Sequence, residues 1–141
     1  MPVSNDPIRT FVTTEEGVEI GFQDYFVRLS HNVVVTDIRF GGIESAKPSE
    51  GILEQINLAS SVIIAPSNPI VSIGPILGVP GVREALQGRR CDVTAISGIV
   101  GGKALKGPAD RLLQELGHES SVAGVARLYS CLLYTSDAAD E

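Results

Sequence analysis

The chain has 141 residues, 43% of them hydrophobic, 20% charged and 5% aromatic, and its 17 acidic against 11 basic side chains leave a formal charge of -6. At this length a domain buries roughly 70% of the surface its unfolded chain exposes, so a core forms without a disulfide framework or a structural metal. Disordered and collagen-like classes are excluded by composition, and net acidity, with a pI near 4.9, argues against a nucleic-acid partner, whose phosphate backbone calls for a basic face. A small anionic ligand held locally stays compatible with that charge. The most apolar stretch, residues 63–82, is interrupted by Pro66, Pro69, Pro75 and Pro80, well short of the roughly 20 apolar residues of a membrane span. The N-terminus has neither the basic nor the apolar part of an export signal, so a soluble cytoplasmic protein without membrane contact is expected. Cys91 and Cys131 have no CxxC or Cys/His spacing, which argues against zinc and fits a reducing compartment.

Residues 9–13 and 18–22 are β-favouring runs separated by Thr14, Glu15, Glu16 and Gly17, whose glycine suits a turn at positive φ; a hairpin is predicted. Phe22, Tyr25, Phe26 and Leu29 recur at helical spacing, so a short amphipathic helix should follow and end near His31. Residues 33–40 read as a strand ended by Gly41 and Gly42. Ser49 is a candidate N-cap for a helix whose buried stripe is Ile52, Leu53, Ile56 and Ala59.

Residues 61–65 are a short apolar run between turn residues, the pattern of a strand buried on both faces of a parallel sheet. A loop at 66–69 leads into a helical tendency over 70–79 and a helix over 80–86 with Pro80 in its first turn. Residues 92–97 read as another buried strand, 98–107 as a glycine and lysine loop, and 108–116 as a helix closed by Gly117. Ser120 or Ser121 caps a final helix through Val122, Val125 and Leu128. Strands alternating with helices from Val33 onward predict an α/β domain with a mainly parallel sheet behind the N-terminal hairpin. This domain covers residues 1–130. Residues 131–141 turn polar and acidic where a strand should follow; they resemble a translated adapter tail and are expected to be foreign to it.

Ligands of open α/β sheets bind at the carboxyl ends of the strands, which directs attention to the loops after Ala65 and Ser97. The first holds Ser67, Asn68, Ser72 and Gly74 between prolines. Hydroxyl and amide donors ahead of a helix form an anion site without net positive charge; an ordinary strand-to-helix turn capped by Ser or Asn uses the same residues. The second places Lys103 and Lys106 among glycines, suited to a diphosphate, although Ala104 stands where a Walker loop has Ser or Thr; a solvated loop is the simpler alternative. Asp6 and Arg9 offer an acid and a base before the first strand, or a turn cap and a solvated side chain. His31 and His118 have no triad partners, and His118 suits a helix C-terminus.

Three segments carry a resemblance. They are Asn5-Asp6-Pro7-Ile8-Arg9-Thr10, the run from Ala65-Pro66-Ser67-Asn68-Pro69-Ile70-Val71-Ser72-Ile73-Gly74-Pro75 on through Val79-Pro80-Gly81-Val82-Arg83-Glu84-Ala85-Leu86, and Ile99-Val100-Gly101-Gly102-Lys103-Ala104-Leu105-Lys106-Gly107-Pro108 with Ala109-Asp110-Arg111-Leu112. Together they resemble the 2-phospho-L-lactate transferase family of coenzyme F-420 biosynthesis, over roughly residues 1–129. Gly98 departs from the family, which tends to have proline after the serine.

The resemblance implies a Rossmann-like three-layer fold. It implies an enzyme that moves a 2-phospholactyl group, or its enolpyruvyl or glyceryl counterpart, from a guanylylated donor to the ribityl hydroxyl of the deazaflavin Fo, releasing GMP and using Mg2+. On that basis Ser67, Asn68, Ser72 and Gly74 are expected to cradle the donor diphosphate, with Lys103 and Lys106 beside them, and Asp6 and Arg9 to face the acceptor or the metal. Family members are about twice as long and open with a glycine-rich phosphate loop and aspartates, so this chain is expected to be an incomplete domain, inactive alone, with its metal ligands elsewhere and a homodimer as the intact form. The alternative is a nucleotide-sugar-binding regulator of the gluconeogenesis-factor type. Its corresponding loop is glycine-rich with a Ser-Leu-Tyr-Thr-Ser run, where this chain has Ser67, Asn68 and Pro69 followed by Ser72, Ile73, Gly74 and Pro75.

Overall fold

The computed structural model describes residues 1–134. The predicted hairpin is present: β1 (Arg9–Thr14) and β2 (Glu19–Gly21) pair antiparallel with Val12 opposite Ile20. Gly17, at φ 77°, closes the turn by donating its N–H to the Thr14 carbonyl at 2.9 Å. β3 (Val35–Gly41) was expected to open the parallel series. It instead pairs antiparallel with the other edge of β1, Val12 opposite Ile38, giving a three-stranded sheet ordered β2-β1-β3. Between β2 and β3 the chain makes a π-helical turn, Asp24–Arg28, before Ser30 and His31, both at φ 48°, redirect it.

The parallel element is two-stranded: β4 (Val62–Ile64) and β5 (Val93–Ala95), in register Val62 to Val93 and Ile64 to Ala95. α1 (Ile52–Leu58) precedes β4, and between the two strands run a π-helical turn Pro69–Ile73, α2 (Gly74–Gly78) and α3 (Val82–Gln87). The expectation that β4 is covered on both faces does not hold among the described residues. Ile64 and Val93 point into the core, whereas Ile63 is 63% exposed and its partner Thr94 is exposed as well. Ser49 does not cap α1 through its side chain. Its N–H donates to the Val3 carbonyl and its own carbonyl accepts from Ile52 N–H, and Gly51 holds the N-cap position. Pro80 likewise precedes α3, which starts after Gly81.

The stretch 98–107 is more ordered than a loop. β6 (Ile99–Val100) and β7 (Lys103–Ala104) form a hairpin whose two turn residues, Gly101 and Gly102, lie at φ 58° and 79°, the conformation of a two-residue turn that matches strand twist. α4 (Ala109–Glu115) ends as predicted at Gly117: His118 N–H donates to the Leu113 carbonyl and Gly117 N–H to that of Gln114, a Schellman closure. Ser121 caps α5 (Val122–Leu128) by accepting from Gly124 N–H at 2.9 Å.

The larger apolar cluster joins Ile64, Leu77, Val82, Leu86, Val93, Ile99, Leu113 and Val125. The smaller joins Val12, Tyr25, Val35 and Leu112. Consecutive residues of α4, Leu112 and Leu113, thus enter different clusters, so this helix ties the antiparallel sheet to the parallel pair. Of the tail expected from residue 131 to be foreign, Leu132 is fully buried in the larger cluster, and residues 135–141 lie outside the described residues. No helix among the described residues is long and apolar enough to cross a membrane.

Candidate functional site

The loops leaving β4 and β5 meet. Ile96 N–H continues the ladder by donating to the Ile64 carbonyl at 3.0 Å, and a Cβ on Gly98 would lie 3.8 Å from the Ser67 carbonyl oxygen. That is ordinary van der Waals contact, so the two loops lie against each other at Gly98. Where they meet lies a cavity of about 440 Å³, lined among others by Ser67, Asn68, Ser72, Lys106, Phe22 and Phe26, within the size range of small-ligand sites.

Asn68 has two ends with different tasks. Its Oδ1 accepts from Ile70 N–H at 2.9 Å and Val71 N–H at 3.1 Å, capping the turn that follows. Main-chain N–H groups bond only to an acceptor, so the oxygen is fixed there and the NH2 is the side chain's donor end. Those two amides are therefore spent on Asn68, and the alternative reading of this loop as a turn capped by Asn holds for that oxygen. The Asn68 carbonyl accepts from both Ser72 and Ile73 N–H, the wide turn of a π-helix, a geometry frequent at functional sites. Ser67 and Ser72 are exposed on the lining.

The other predicted residues separate. Lys106 lines the cavity, whereas Lys103 stands on β7 opposite Val100 and does not. The hairpin accounts for the split, since alternation along a strand and the turn at Gly101–Gly102 send the two lysines apart. Gly74 is also absent from the lining; a Cβ there would lie 3.2 Å from the Phe40 ring, so its small size serves packing. Asp6 and Arg9 lie outside the cavity lining. Asp6 Oδ2 accepts from Lys47 N–H at 2.8 Å, and Arg9 is exposed on β1 opposite Gly41. Among the described residues no three His, Cys, Asp or Glu side chains gather, and Asp6 Oδ2 is engaged in this turn.

What the sequence reading missed is the wall contributed from the antiparallel half. Phe22 and Phe26, read from their spacing as a core stripe, stack with ring centroids 5.6 Å apart and line the cavity. Their turn is anchored by Tyr25, fully buried, whose hydroxyl accepts from Arg111 Nη2 at 3.2 Å. Burial pushes the Tyr25 phenol above its ordinary pKa, partly offset by the Arg111 guanidinium. Arg111 also donates to the His31 carbonyl and pairs through Nε with Glu115 Oε1 at 2.9 Å; the other Glu115 oxygen accepts from Val35 N–H. The signal available in sequence was only Arg111 and Glu115 at i,i+4.

Comparison with known proteins adds to this geometry. A family model described as "2-phospho-L-lactate transferase CofD" matches residues 1–139. The chain is 44% identical over 132 residues to a phosphoenolpyruvate transferase of Streptomyces griseus, covering 92% of this chain and 42% of that protein. It is 40% identical over 129 residues to a 2-phospho-L-lactate transferase of Methanosarcina acetivorans, covering 92% and 41%. Among solved structures, a UPF0052-family protein of Bacillus halodurans matches with a TM-score of 0.49 and 25% identity over 62% of this chain and 27% of that one. The chain thus spans about two fifths of the length of the curated relatives it matches. With nearly every residue inside the family match, the chain belongs to the 2-phospho-L-lactate transferase family.

Proposed function

We propose that, in a protein of the relatives' full length, this chain supplies the donor-diphosphate wall of a transferase of coenzyme F-420 biosynthesis working in the cytoplasm. The ribityl hydroxyl of Fo attacks the phosphorus that carries the three-carbon acid; the bond from that phosphorus to the bridging oxygen breaks, and GMP leaves with that oxygen. Such transfer depends on positioning and on cancelling charge spread over phosphoryl oxygens. The single observation that supports it is the convergence of Ser67, the Asn68 amide, Ser72 and Lys106 on one cavity at the carboxyl ends of the parallel strands. Hydroxyls and an amide fix the diphosphate oxygens by direction, and Lys106 adds a point charge. The Mg2+ that the family resemblance implies is assigned to residues other than these, and the homodimer to the full-length form.

The test is incubation of the complete reading frame containing this chain with Fo, Mg2+ and each guanylylated donor, lactyl, enolpyruvyl and glyceryl. GMP and a phosphodiester-linked deazaflavin are expected with at least one donor, and Ser67→Ala with Ser72→Ala slows their formation. Absence of GMP release with all three donors refutes the assignment.

A further inference from the structure

The cavity has two chemically different sides. Ser67, Asn68, Ser72 and Lys106 are donors suited to phosphate oxygens, while Phe22 and Phe26 present aromatic surface to the same space. Phe26 is 41% exposed although its ring stacks on Phe22 and sits 5.6 Å from the His31 ring. Two stacked rings on the wall of a cavity form a contiguous apolar surface of the kind found in ligand-binding grooves.

This wall is held in place. Tyr25, between the two phenylalanines, is fully buried and takes a hydrogen bond from Arg111, which also donates to the His31 carbonyl. Ser30 and His31 are held at φ 48°, a region few non-glycine residues occupy, with His31 N–H donating to the Tyr25 carbonyl at 2.9 Å. Over-determined backbone of this kind persists where surrounding contacts hold it. The rings therefore meet a ligand without being ordered by it, which lowers the entropic cost of stacking.

We propose that Phe22 and Phe26 form the platform for the planar heteroaromatic ring of the ligand whose phosphates lie on Ser67, Asn68, Ser72 and Lys106 or are transferred there. This builds on the function proposed above, in which two substrates carry such a ring: guanine in the donor and deazaflavin in the acceptor. Both share a flat, polarisable face that stacks on phenylalanine irrespective of edge hydrogen bonds.

Calorimetric titration of the complete protein containing this chain with GDP, with Fo and with inorganic diphosphate tests the platform, using Phe26→Ala, Phe26→Leu, Phe26→Tyr and the neighbouring Val27→Ala. Val27 is exposed and outside the cavity lining. Loss of the ring in the Ala and Leu variants should raise Kd for one ring ligand about 5- to 150-fold, the range for aromatic stacking removed by truncation. Phe26→Tyr and Val27→Ala should bind as the parent does, and diphosphate binding should be unchanged throughout. A loss confined to GDP identifies guanine as the stacked ring; one confined to Fo identifies the deazaflavin. Binding of both ring ligands unchanged in Phe26→Ala and Phe26→Leu overturns the platform and leaves the transferase assignment standing. Ring binding lost in those variants, with no transfer by the complete reading frame, upholds the platform and sinks the assignment. A complete protein that binds neither GDP nor Fo overturns the platform, and the transfer assay on the same protein decides the assignment separately.

Discussion

Asn68 offers the sharpest separation of folding from binding, because its oxygen and its nitrogen have different partners. Asn68→Ala removes an acceptor from Ile70 and Val71 N–H. Loss of an N-cap costs about 1 kcal/mol, within roughly 0.5–2, which for a domain of this size lowers Tm by roughly 3–4 °C. Asn68→Asp keeps the acceptor, and a carboxylate at the start of a helical turn is at least as good a cap, so its Tm should match the parent. Binding should sort the variants differently. Both lose the NH2 donor, and a hydrogen bond to a charged group is worth about 1.5–3 kcal/mol, so Kd for GDP should rise by about tenfold or more in Asn68→Ala. Asn68→Asp should bind more weakly still, since it sets a negative charge against the phosphates. Thermal melts by circular dichroism and calorimetric titration with GDP read the two effects separately. GDP binding by Asn68→Asp equal to that of the parent would show that the amide does not meet the phosphates, and an unchanged Tm in Asn68→Ala would remove the cap from the account.

Three further outcomes are expected. Lys106→Ala should weaken GDP binding and reduce its salt dependence while Lys103→Ala leaves both near the parent values, because only Lys106 lines the cavity; equal effects in titrations at two salt concentrations would contradict the split. Tyr129 is buried, and desolvation pushes its phenol up to about 12. Its folded pKa lies above the unfolded value of about 10, so its contribution is intact below pH 10 and is lost as pH rises through about 12, on the order of 2–3 kcal/mol in all. Urea midpoints measured from pH 9 upward should fall more steeply in the parent than in Tyr129→Phe. In Gly124→Ala the added Cβ would meet the Glu119 carbonyl oxygen, carbonyl carbon and Cβ, an overlap with backbone that should cost at least about 2 kcal/mol; an unchanged Tm would mean the turn before α5 yields freely.

Much of this protein is legible locally. The hairpin at Gly17, the closure of α4 at Gly117 and the Ser121 cap are each settled by bonds between residues a few positions apart, so their signals survive in sequence. The family resemblance is local in the same sense, being carried by contiguous runs such as residues 65–75. Ser67, Asn68 and Ser72 fall on one cavity because they lie within a single turn. Some local signals were misplaced, such as Pro80 before α3 and the Gly101–Gly102 hairpin, but others required knowing a distant partner. Nothing in residues 33–40 states which way the strand will run beside β1, and Gly74 looks like a residue of the ligand loop until Phe40 is found against it.

The sequence by itself determined an acidic α/β chain, several of its turns and caps, its family, and the short loop on which Ser67, Asn68 and Ser72 sit, because each depends on composition or on neighbours along the chain. Only the tertiary structure decided that β3 joins the antiparallel sheet, that Ile63 stays uncovered, and that Lys106 rather than Lys103 lines the cavity. It also decided that Phe22 and Phe26 cross from the other half of the molecule to wall the site. Spacing along a helix or strand says which side chains share a face. What that face meets is set by long-range packing, here by Tyr25, Arg111 and α4 drawing the two halves together.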